Sequence, residues 1–412
     1  MVLHNSNTHS YHLALQDSLN TPLAASSAFD ATHAPRIAMV AGESSGDLLA
    51  SLLIKGILAR WPNAQIYGIG GDAMCALGFK ALWPAHKLSV RGYFEVLLHL
   101  REILGIRKAL KKELLDNPPD LFIGVDAPDF NLNLEASLKA EAIPCLHFVC
   151  PSIWAWRAKR ALTLVKSVDH VLCIFPFEPA VLEKYQIAAT YVGHPLAQVV
   201  PMVPDKWSAR RAFGIDPHAK VVALMPGSRA SEVQEMTKRF LEAALIIQKS
   251  DPQALFLLPV VPHLQRLVQT IAGRTPVANL ILLKGQSHEA LTACDAVLVA
   301  SGTATLEAAL FKRPMVIGYH VNWFSYWLIW PQRLLPWIGL PNILAGKEIV
   351  PELLQAEATP EALAARMLRL LNDEKAMVEM TQAFNDMHLQ LSRDTPTIAT
   401  RVIEGLLARG RA

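Results

Sequence analysis

The sequence VVALMPGSRASEV, residues 221–233, contains the pattern on which the fold prediction rests. Its first five residues are apolar, which is typical of a short buried strand. A Pro-Gly-Ser-Arg segment follows, and a helical pattern begins after it. A buried strand that leads through a glycine-containing turn into a helix is the repeating unit of a parallel sheet.

The same unit recurs on both sides of a proline-rich passage at residues 195–204. Apolar strands that alternate with helices predict an α/β protein with two doubly wound, Rossmann-like domains facing a cleft. The predicted strands are Ile37–Ala41, Gln65–Ile69, Leu121–Val125, Cys145–Val149, His170–Ile174, Val221–Met225, Ala254–Val260, Leu280–Leu283, Ala296–Ala300 and Met315–Gly318.

Four segments follow from this division. Residues 1–35 contain no lysine or arginine and no long apolar run, so we interpret them as a disordered extension rather than a secretory signal. We predict an N-terminal domain at 36–196, which carries a candidate catalytic base, and a C-terminal domain at 197–375, which carries a candidate nucleotide site. Residues 376–412 are predicted helices that pack back on the N-terminal domain or on a partner subunit.

Composition restricts the function classes. Lysine and arginine number 39 and aspartate and glutamate 36, so the net charge of +3 argues against a nucleic-acid-binding protein. The five cysteines form no C-x-x-C pair, which favours a reducing compartment and buried, inert thiols. No apolar run approaches the ~20 residues of a membrane-spanning helix. We therefore expect a cytoplasmic protein that can attach to a membrane surface.

Two loops in the second half predict a nucleotide site. Each follows a predicted strand, begins a helix, and offers backbone amides, hydroxyls or an arginine to a phosphate. Ordinary helix capping by serine and threonine is the alternative for either loop alone. The predicted nucleotide-binding residues are Gly227, Ser228, Arg229, Ser301, Gly302, Thr303 and Glu307, the last as a partner for a ribose diol.

Carboxylates follow a strand in the first half as well. Asp126 stands directly after Leu121–Val125, where a strand-end carboxylate facing a cleft can act as a general base. Asp129 is either part of this site or the start of a turn. Their spacing is not the Asp-x-Asp of metal-dependent nucleotide-sugar enzymes, so we expect no metal and no cofactor.

Residues 93–114 combine a wide apolar arc with lysines and arginines, a pattern that suits an anionic membrane surface. A core helix with a solvated basic face explains the pattern equally well. A second aromatic cluster at Trp323–Trp330 is either domain core or a lipid contact. The predicted membrane-contacting residues are Phe94, Leu97, Leu98, Ile103 and Leu104.

Eight motifs, in this order, resemble those of the lipid-A-disaccharide synthase family, and the resemblance spans residues 36 to about 404. They are VAGESSGD (40–47), GVDAPDFN (124–131), PSIWAWR (151–157), FPFE (175–178), VGHP (192–195), LMPGSR (224–229), ASGTATLE (300–307) and LPNILAG (340–346).

The resemblance implies an inverting, metal-independent glycosyltransferase with the two-domain B-type fold. It would join UDP-2,3-diacylglucosamine to 2,3-diacylglucosamine 1-phosphate and release UDP. It also implies a homodimer at the cytoplasmic face of the inner membrane and Asn342 as a further nucleotide contact. The implied acceptor- or substrate-binding residues are Glu43, Ser45, Asp129, Asn131, Ser152 and Trp154.

Three other functions compete with this interpretation. One is a UDP-N-acetylglucosamine 2-epimerase of the same fold, and another is a non-enzymatic lipid-binding protein. The third is a NAD-dependent oxidoreductase, because GIGGDA at residues 68–73 matches a loose dinucleotide pattern. That segment closes the second predicted strand instead of the first, and close backbone packing explains its glycines equally well.

Overall fold

The computed structural model describes residues 34–42, 44–88, 93–156, 159–321 and 332–409. These residues form two parallel β-sheets, one of seven strands and one of six. The first sheet contains β1 (Arg36–Ala41), β2 (Gln65–Gly70), β3 (Lys80–Pro84), β4 (Leu121–Val125), β5 (Cys145–Phe148), β6 (His170–Cys173) and β7 (Ala189–Tyr191). The second contains β8 (Val221–Met225), β9 (Leu255–Val260), β10 (Leu280–Lys284), β11 (Ala296–Val299), β12 (Met315–Tyr319) and β13 (Glu352–Leu354).

Helices connect the strands and pack on the sheets. In the first half they are α1 (Ser44–Arg60), α2 (Asp72–Cys75), α3 (Tyr93–Asp116), α4 (Pro128–Lys139), α5 (Arg160–Ser167), α6 (Glu178–Glu183) and α7 (Leu196–Val199). In the second half they are α8 (Lys206–Ala212), α9 (Ala230–Ser250), α10 (Gln265–Arg274), α11 (Ser287–Ala293), α12 (Thr303–Leu310), α13 (Leu340–Ala345), α14 (Pro360–Leu371), α15 (Glu374–Leu391) and α16 (Thr395–Arg409).

Both sheets have the doubly wound strand order. The first is β3-β2-β1-β4-β5-β6-β7 and the second is β10-β9-β8-β11-β12-β13. In each sheet the winding direction reverses once, between β1 and β4 and between β8 and β11. Ligands of such sheets bind beyond the carboxyl ends of the strands at this reversal. The predicted fold class, two Rossmann-like α/β domains, is confirmed.

Most of the strands that the sequence predicts correctly are buried, and those that it fails to predict are mostly exposed or half-buried. Residues 121–125 and 221–225 are strands with the predicted bounds, and every residue in them is buried. The strands β3, β7 and β13 were not predicted. Each lies at a sheet edge and has mostly exposed or half-buried residues, so it has no apolar run to reveal it.

The last two helices pack on different domains. The helix α15 contacts α12 of the second domain, whereas α16 lies along α1 of the first. The α1–α16 approach is close at Gly56, where a Cβ atom would lie 2.5 Å from Oγ1 of Thr400. An ion pair between Arg60 and Glu404, 2.7 Å long, joins the same two helices. The last described helix therefore packs on the first domain.

Packing between strands explains the glycine-rich segment at residues 68–73. At Gly68, φ is +138° and a Cβ atom would lie 2.1 Å from the Met39 carbonyl oxygen, so β1 and β2 approach closely there. The Asp47 carboxylate accepts hydrogen bonds from the Gly71 and Ala73 amides, both 2.9 Å, so the turn binds a carboxylate of its own chain. The packing interpretation of residues 68–73 is thus supported.

One of the five thiols departs from expectation. Cys75, at the end of α2, is exposed, whereas the other four cysteines are buried.

A buried histidine lies where the two domains join. The backbone amide of His194 donates to the Leu391 carbonyl at 2.9 Å, and its Nδ1 accepts from the Leu196 amide at 3.2 Å. Its ring is 8% exposed and lies against Phe175, with 5.5 Å between ring centroids. Burial lowers the pKa of His194 to about 4.

This burial predicts an acid sensitivity. Between pH 6.5 and about 4 an unfolded chain protonates His194 and the folded chain does not, so His194 destabilises the folded state as the pH falls through that window. His194→Asn retains an acceptor for the Leu196 amide and removes the titrating ring. We expect the urea midpoint to fall less from pH 7 to pH 5 in the variant than in the parent. Equal decreases would contradict the assignment.

Candidate active site

A cavity of about 860 Å³ lies between the carboxyl ends of the two sheets. The second domain contributes the loops that follow β8, β9, β10, β11 and β12. The first domain contributes the loop after β5, including Ser152 and Trp154. Both domains therefore line one site, and all six of the predicted loop residues, Gly227, Ser228, Arg229, Ser301, Gly302 and Thr303, are part of its wall.

The loop after β8 is built around a glycine and an ion pair. At Gly227 φ is +111°, and a Cβ atom would lie 2.9 Å from Oε2 of Glu232, so both conformation and space favour glycine. The Arg229 guanidinium donates to Glu232 Oε1 at 2.8 Å. The Arg229 side chain is 78% exposed and that of Glu232 only 10%. Glu232 thus orients an arginine whose charge faces the cavity.

The loop after β11 has a similar form. Gly302, with φ +133°, directly precedes α12 as its N-cap residue, and Thr303 is exposed in the cavity wall. The Ser301 hydroxyl donates to the Ile338 carbonyl at 3.2 Å. Ser301 therefore links this loop to the segment before α13 and does not cap α12.

Within the described ranges, the helices that follow these two loops, α9 and α12, begin without a side-chain cap. Their N-cap residues are Arg229 and Gly302. Helices α8, α14 and α15 are capped by Asp205, Thr359 and Asp373 respectively. The capping alternative is therefore wrong for both loops, and the first-turn amides of two helices are directed to one cavity, where they favour an anion.

Glu307 lies in the cavity wall, one turn into α12. Its side chain is 22% exposed, and burial raises its pKa, while the nearby His288 acts in the opposite direction. His288 Nε2 is 3.7 Å from Glu307 Oε2. Sequence analysis missed His288, although it follows a glycine-containing turn after a strand, which is the signal that identified the other two loops.

Tyr319 was also missed. Its hydroxyl donates to Glu232 Oε1 at 3.3 Å, and burial, reinforced by the Glu232 charge, raises the pKa of Tyr319 to about 12. It is the last residue of the apolar strand β12, so the sequence does not show that its hydroxyl faces the cavity. With Arg229 it gives Glu232 two donors.

Asn342 has a different position from the predicted one. It is completely buried, accepts from the amides of Ile349 and Val350 at 2.8 and 2.9 Å, and donates to Glu352 Oε1 at 2.8 Å. Glu352 in turn accepts from the Ile338 amide at 2.9 Å. Asn342 therefore makes no contact in the cavity and supports the segment that carries Ile338.

Asp126 stands at the winding reversal of the first sheet. It directly follows β4, is half-buried, and its amide donates to the Phe148 carbonyl at 2.9 Å. Asp126 and Ala127 have φ values of 50° and 43°, a conformation that non-glycine residues rarely adopt. Asp126 is not among the described residues that line the 860 Å³ cavity, but Ser152 and Trp154, in the loop that follows the neighbouring strand β5, do line it.

The other residues implied on the acceptor side fall into different environments. Asp129 is exposed and pairs with Arg160. Asn131 is completely buried beneath Asp126, so its side chain does not reach the cleft and the expected substrate contact is not made. Ser45 is exposed in the first turn of α1, and Glu43 lies outside the described residues.

Trp154 is the best-supported of this group. Its indole Nε1 donates to Glu178 Oε1 at 2.9 Å, and its ring meets Phe175 and Phe177 edge-on. Glu178 is 1% exposed and also accepts from the Ile174 and Phe175 amides, both at 3.0 Å. Burial outweighs these donors and raises the pKa of Glu178 to about 8. A buried carboxyl group thus fixes an aromatic wall of the cavity.

The predicted membrane segment is the helix α3. Side chains of residues 93–99, including Phe94, Leu97 and Leu98, lie outside the described residues, as do residues 322–331 with the second aromatic cluster. Leu100 and Leu104 are 40% and 41% exposed. Ile103 packs against the core, so its predicted lipid contact is not supported. No helix of the described ranges is long and apolar enough to cross a bilayer.

Within the same described ranges, no group of three or more His, Cys, Asp or Glu residues is arranged to hold a metal ion.

Two Rossmann-like domains that share one cleft, with anion-directed loops in the second, define the glycosyltransferase B-type class of nucleotide-sugar enzymes. Known structures agree on this fold. A glycosyltransferase of kitacinnamycin has a TM-score of 0.61 at 16% identity, over 91% of this chain and 100% of its own. The UDP-GlcNAc 2-epimerase of Neisseria meningitidis has a TM-score of 0.59 at 14% identity, with the same coverage.

The family is shown by sequence. The model described as Lipid-A-disaccharide synthetase matches residues 37–403. The lipid-A-disaccharide synthase of Albidiferax ferrireducens is 52% identical over 90% of this chain and 97% of its own length. That of Paraburkholderia xenovorans is 49% identical over 92% and 97%. The chain belongs to the lipid-A-disaccharide synthase family and is a glycosyltransferase of lipid A biosynthesis.

Arg229→Ala should weaken binding of UDP. A hydrogen bond from a charged group contributes about 1.5–3 kcal/mol, so we expect the dissociation constant measured by calorimetry to rise roughly 10- to 100-fold. Arg239→Ala is the matched control, because Arg239 pairs with Glu235 on the same helix and is not in the described cavity wall. Unchanged UDP affinity in Arg229→Ala would refute the phosphate-binding assignment of this loop.

Proposed function

We propose that this enzyme transfers the diacylglucosamine unit of UDP-2,3-diacylglucosamine to the 6-hydroxyl of 2,3-diacylglucosamine 1-phosphate, with inversion. The observation that carries the proposal is the shared cavity, in which two uncapped helix starts and Arg229 converge. A diphosphate bound there would gain negative charge as the glycosidic bond breaks. Fixed dipoles and a cation would stabilise that charge most strongly in the transition state.

Asp126 is the proposed general base. The acceptor oxygen attacks C1 of the donor sugar, its proton passes to the Asp126 carboxylate, and the bond from C1 to the diphosphate oxygen breaks to release UDP. Its position supports this role, because Asp126 follows β4, and the loop after the adjacent strand β5 brings Ser152 and Trp154 into the cavity wall. The acceptor would then enter from the first domain. Arg229 and the helix amides would stabilise the diphosphate where other enzymes use a metal ion. We therefore propose that no metal or cofactor is required.

Asp126→Asn tests this function. Loss of a general base should lower kcat by about 10²- to 10⁴-fold, with UDP affinity unchanged. The assay combines both diacylated sugars, with and without a chelator, and measures the disaccharide by mass spectrometry.

The control for that assay is Asp116→Asn, an exposed carboxylate at the end of α3. Near-normal turnover in Asp126→Asn would eliminate it as the base. Loss of parent activity in chelator, restored by magnesium, would refute metal independence. Consumption of UDP-N-acetylglucosamine without an acceptor would favour the 2-epimerase alternative, and no UDP binding at all would favour a lipid-binding protein.

We further propose that the enzyme works at the cytoplasmic face of the inner membrane, because its proposed substrates are acylated. The homodimer is proposed on the family resemblance alone. The exposed leucines of α3 support a membrane contact, because cations follow them on the same helix. Lys108 and Lys112 are exposed beside them, while Ile106 and Leu110 on the opposite face are buried. Each cation near an anionic surface contributes on the order of 1 kcal/mol.

Replacing Leu100 and Leu104 together with serine should weaken binding to anionic phospholipid vesicles. Two partly exposed leucines contribute roughly 1–2 kcal/mol of apolar transfer, so we expect about a tenfold loss in a sedimentation assay. Leu389→Ser, which alters a 62% exposed leucine on α15, is the control. If the double variant stays folded and binds vesicles as the parent does, α3 is not the contact.

A further inference from the structure

We infer that Asn131, Glu135 and His147 form a buried polar unit that positions Asp126 for the transfer reaction. The inference rests on the proposed role of Asp126 and adds three positioning residues to it. All three side chains are completely inaccessible to solvent, so they act through the backbone of the strand end and not on substrate.

The turn that follows β4 is strained. Asp126 and Ala127 both have positive φ, and neither is a glycine. Residues in this conformation persist only where the surroundings hold them. One restraint is the hydrogen bond from the Asp126 amide to the Phe148 carbonyl at 2.9 Å. A second is required on the carbonyl side of Asp126, where the chain turns into α4.

Asn131 supplies that second restraint. Its Nδ2 donates to the Asp126 carbonyl at 2.8 Å and lies 3.4 Å from the carbonyls of Val125 and Val40. These acceptors belong to the ends of β4 and β1, the two strands between which the sheet reverses. A single amide group therefore holds the point from which the Asp126 carboxylate projects.

Glu135 and His147 lie behind this amide. Glu135 is one turn further along α4 than Asn131, and its Oε1 is 2.7 Å from Nδ1 of His147 on β5. A Cβ atom on Gly124 would lie 2.1 Å from Glu135 Oε1 and 3.1 Å from Asn131 Cβ. The glycine thus leaves room for both side chains against the strand, two residues before Asp126.

Stability alone is a poor account of this unit. Among the described residues no partner exists for Asn131 Oδ1, Glu135 Oε2 or His147 Nε2, although all three atoms are buried. Unpaired buried polar atoms are unfavourable, and apolar side chains of the same volume often stabilise a core. A polar cluster retained at this position is better explained by the geometry it imposes on the turn.

The test is a double-mutant cycle in the full-length enzyme. Asn131→Leu keeps the branched shape of the side chain and removes the donor to the Asp126 carbonyl. We expect kcat to fall about 10- to 100-fold, as for a displaced catalytic group, with the KM for the UDP-sugar and the melting temperature little changed. Asn133→Leu, an exposed position on the same helix, is the matched control.

The decisive measurement is Asn131→Leu in an Asp126→Asn background. A residue that acts only by positioning the base has nothing left to position there, so the second substitution should not lower the residual rate further. An equal fold-loss in both backgrounds, or normal kcat in Asn131→Leu alone, would overturn the inference. Full activity of Asp126→Asn by itself would instead refute the proposed function.

Asn131→Ala removes the same donor with less bulk and is the second variant if leucine prevents folding. The same pattern of rates is expected from it. Failure of both variants to fold would also overturn the inference, because it assigns the amide to the turn and not to the stability of the domain.

Discussion

Parallel strand direction is the constraint on which the rest of this structure depends. Because all strands of a sheet point the same way, every loop that follows a strand emerges at one edge. The reversal of winding between β1 and β4, and again between β8 and β11, separates adjacent loops and opens a crevice. The loops that carry Arg229 and Ser301 line the same cavity for this reason, although they are far apart in sequence.

Buried carboxyl groups play a recurring part around that crevice. Glu232 orients Arg229, Glu178 holds Trp154, and Glu352 secures the segment that receives Ser301. Each carboxylate accepts several hydrogen bonds from groups that line or support the cavity. A flexible side chain in the wall is thereby given one orientation before a ligand arrives, which lowers the entropy lost on binding.

The sequence was most informative where one physical effect dominates. Strands β4 and β8 are buried on both faces and could be delimited from apolar runs, and the loops after β8 and β11 from glycine and hydroxyl residues. Asn131 and Asn342 were misjudged because a polar residue in a motif indicates an important position but not the direction of its side chain. Both are buried, and both support loops through hydrogen bonds that depend on the tertiary structure. His288 and Tyr319 were missed because their partners lie on other elements.

The return of α16 to the first domain has a mechanical consequence. Among the described residues, two chain segments cross between the domains, one after β7 and one between α15 and α16, and they run side by side where the His194 amide meets the Leu391 carbonyl. Two adjacent connections restrain twisting of one domain against the other, which a single linker would leave free. The relative alignment of the loops on the two sides of the cleft is therefore restrained from outside the cleft, by the covalent chain itself.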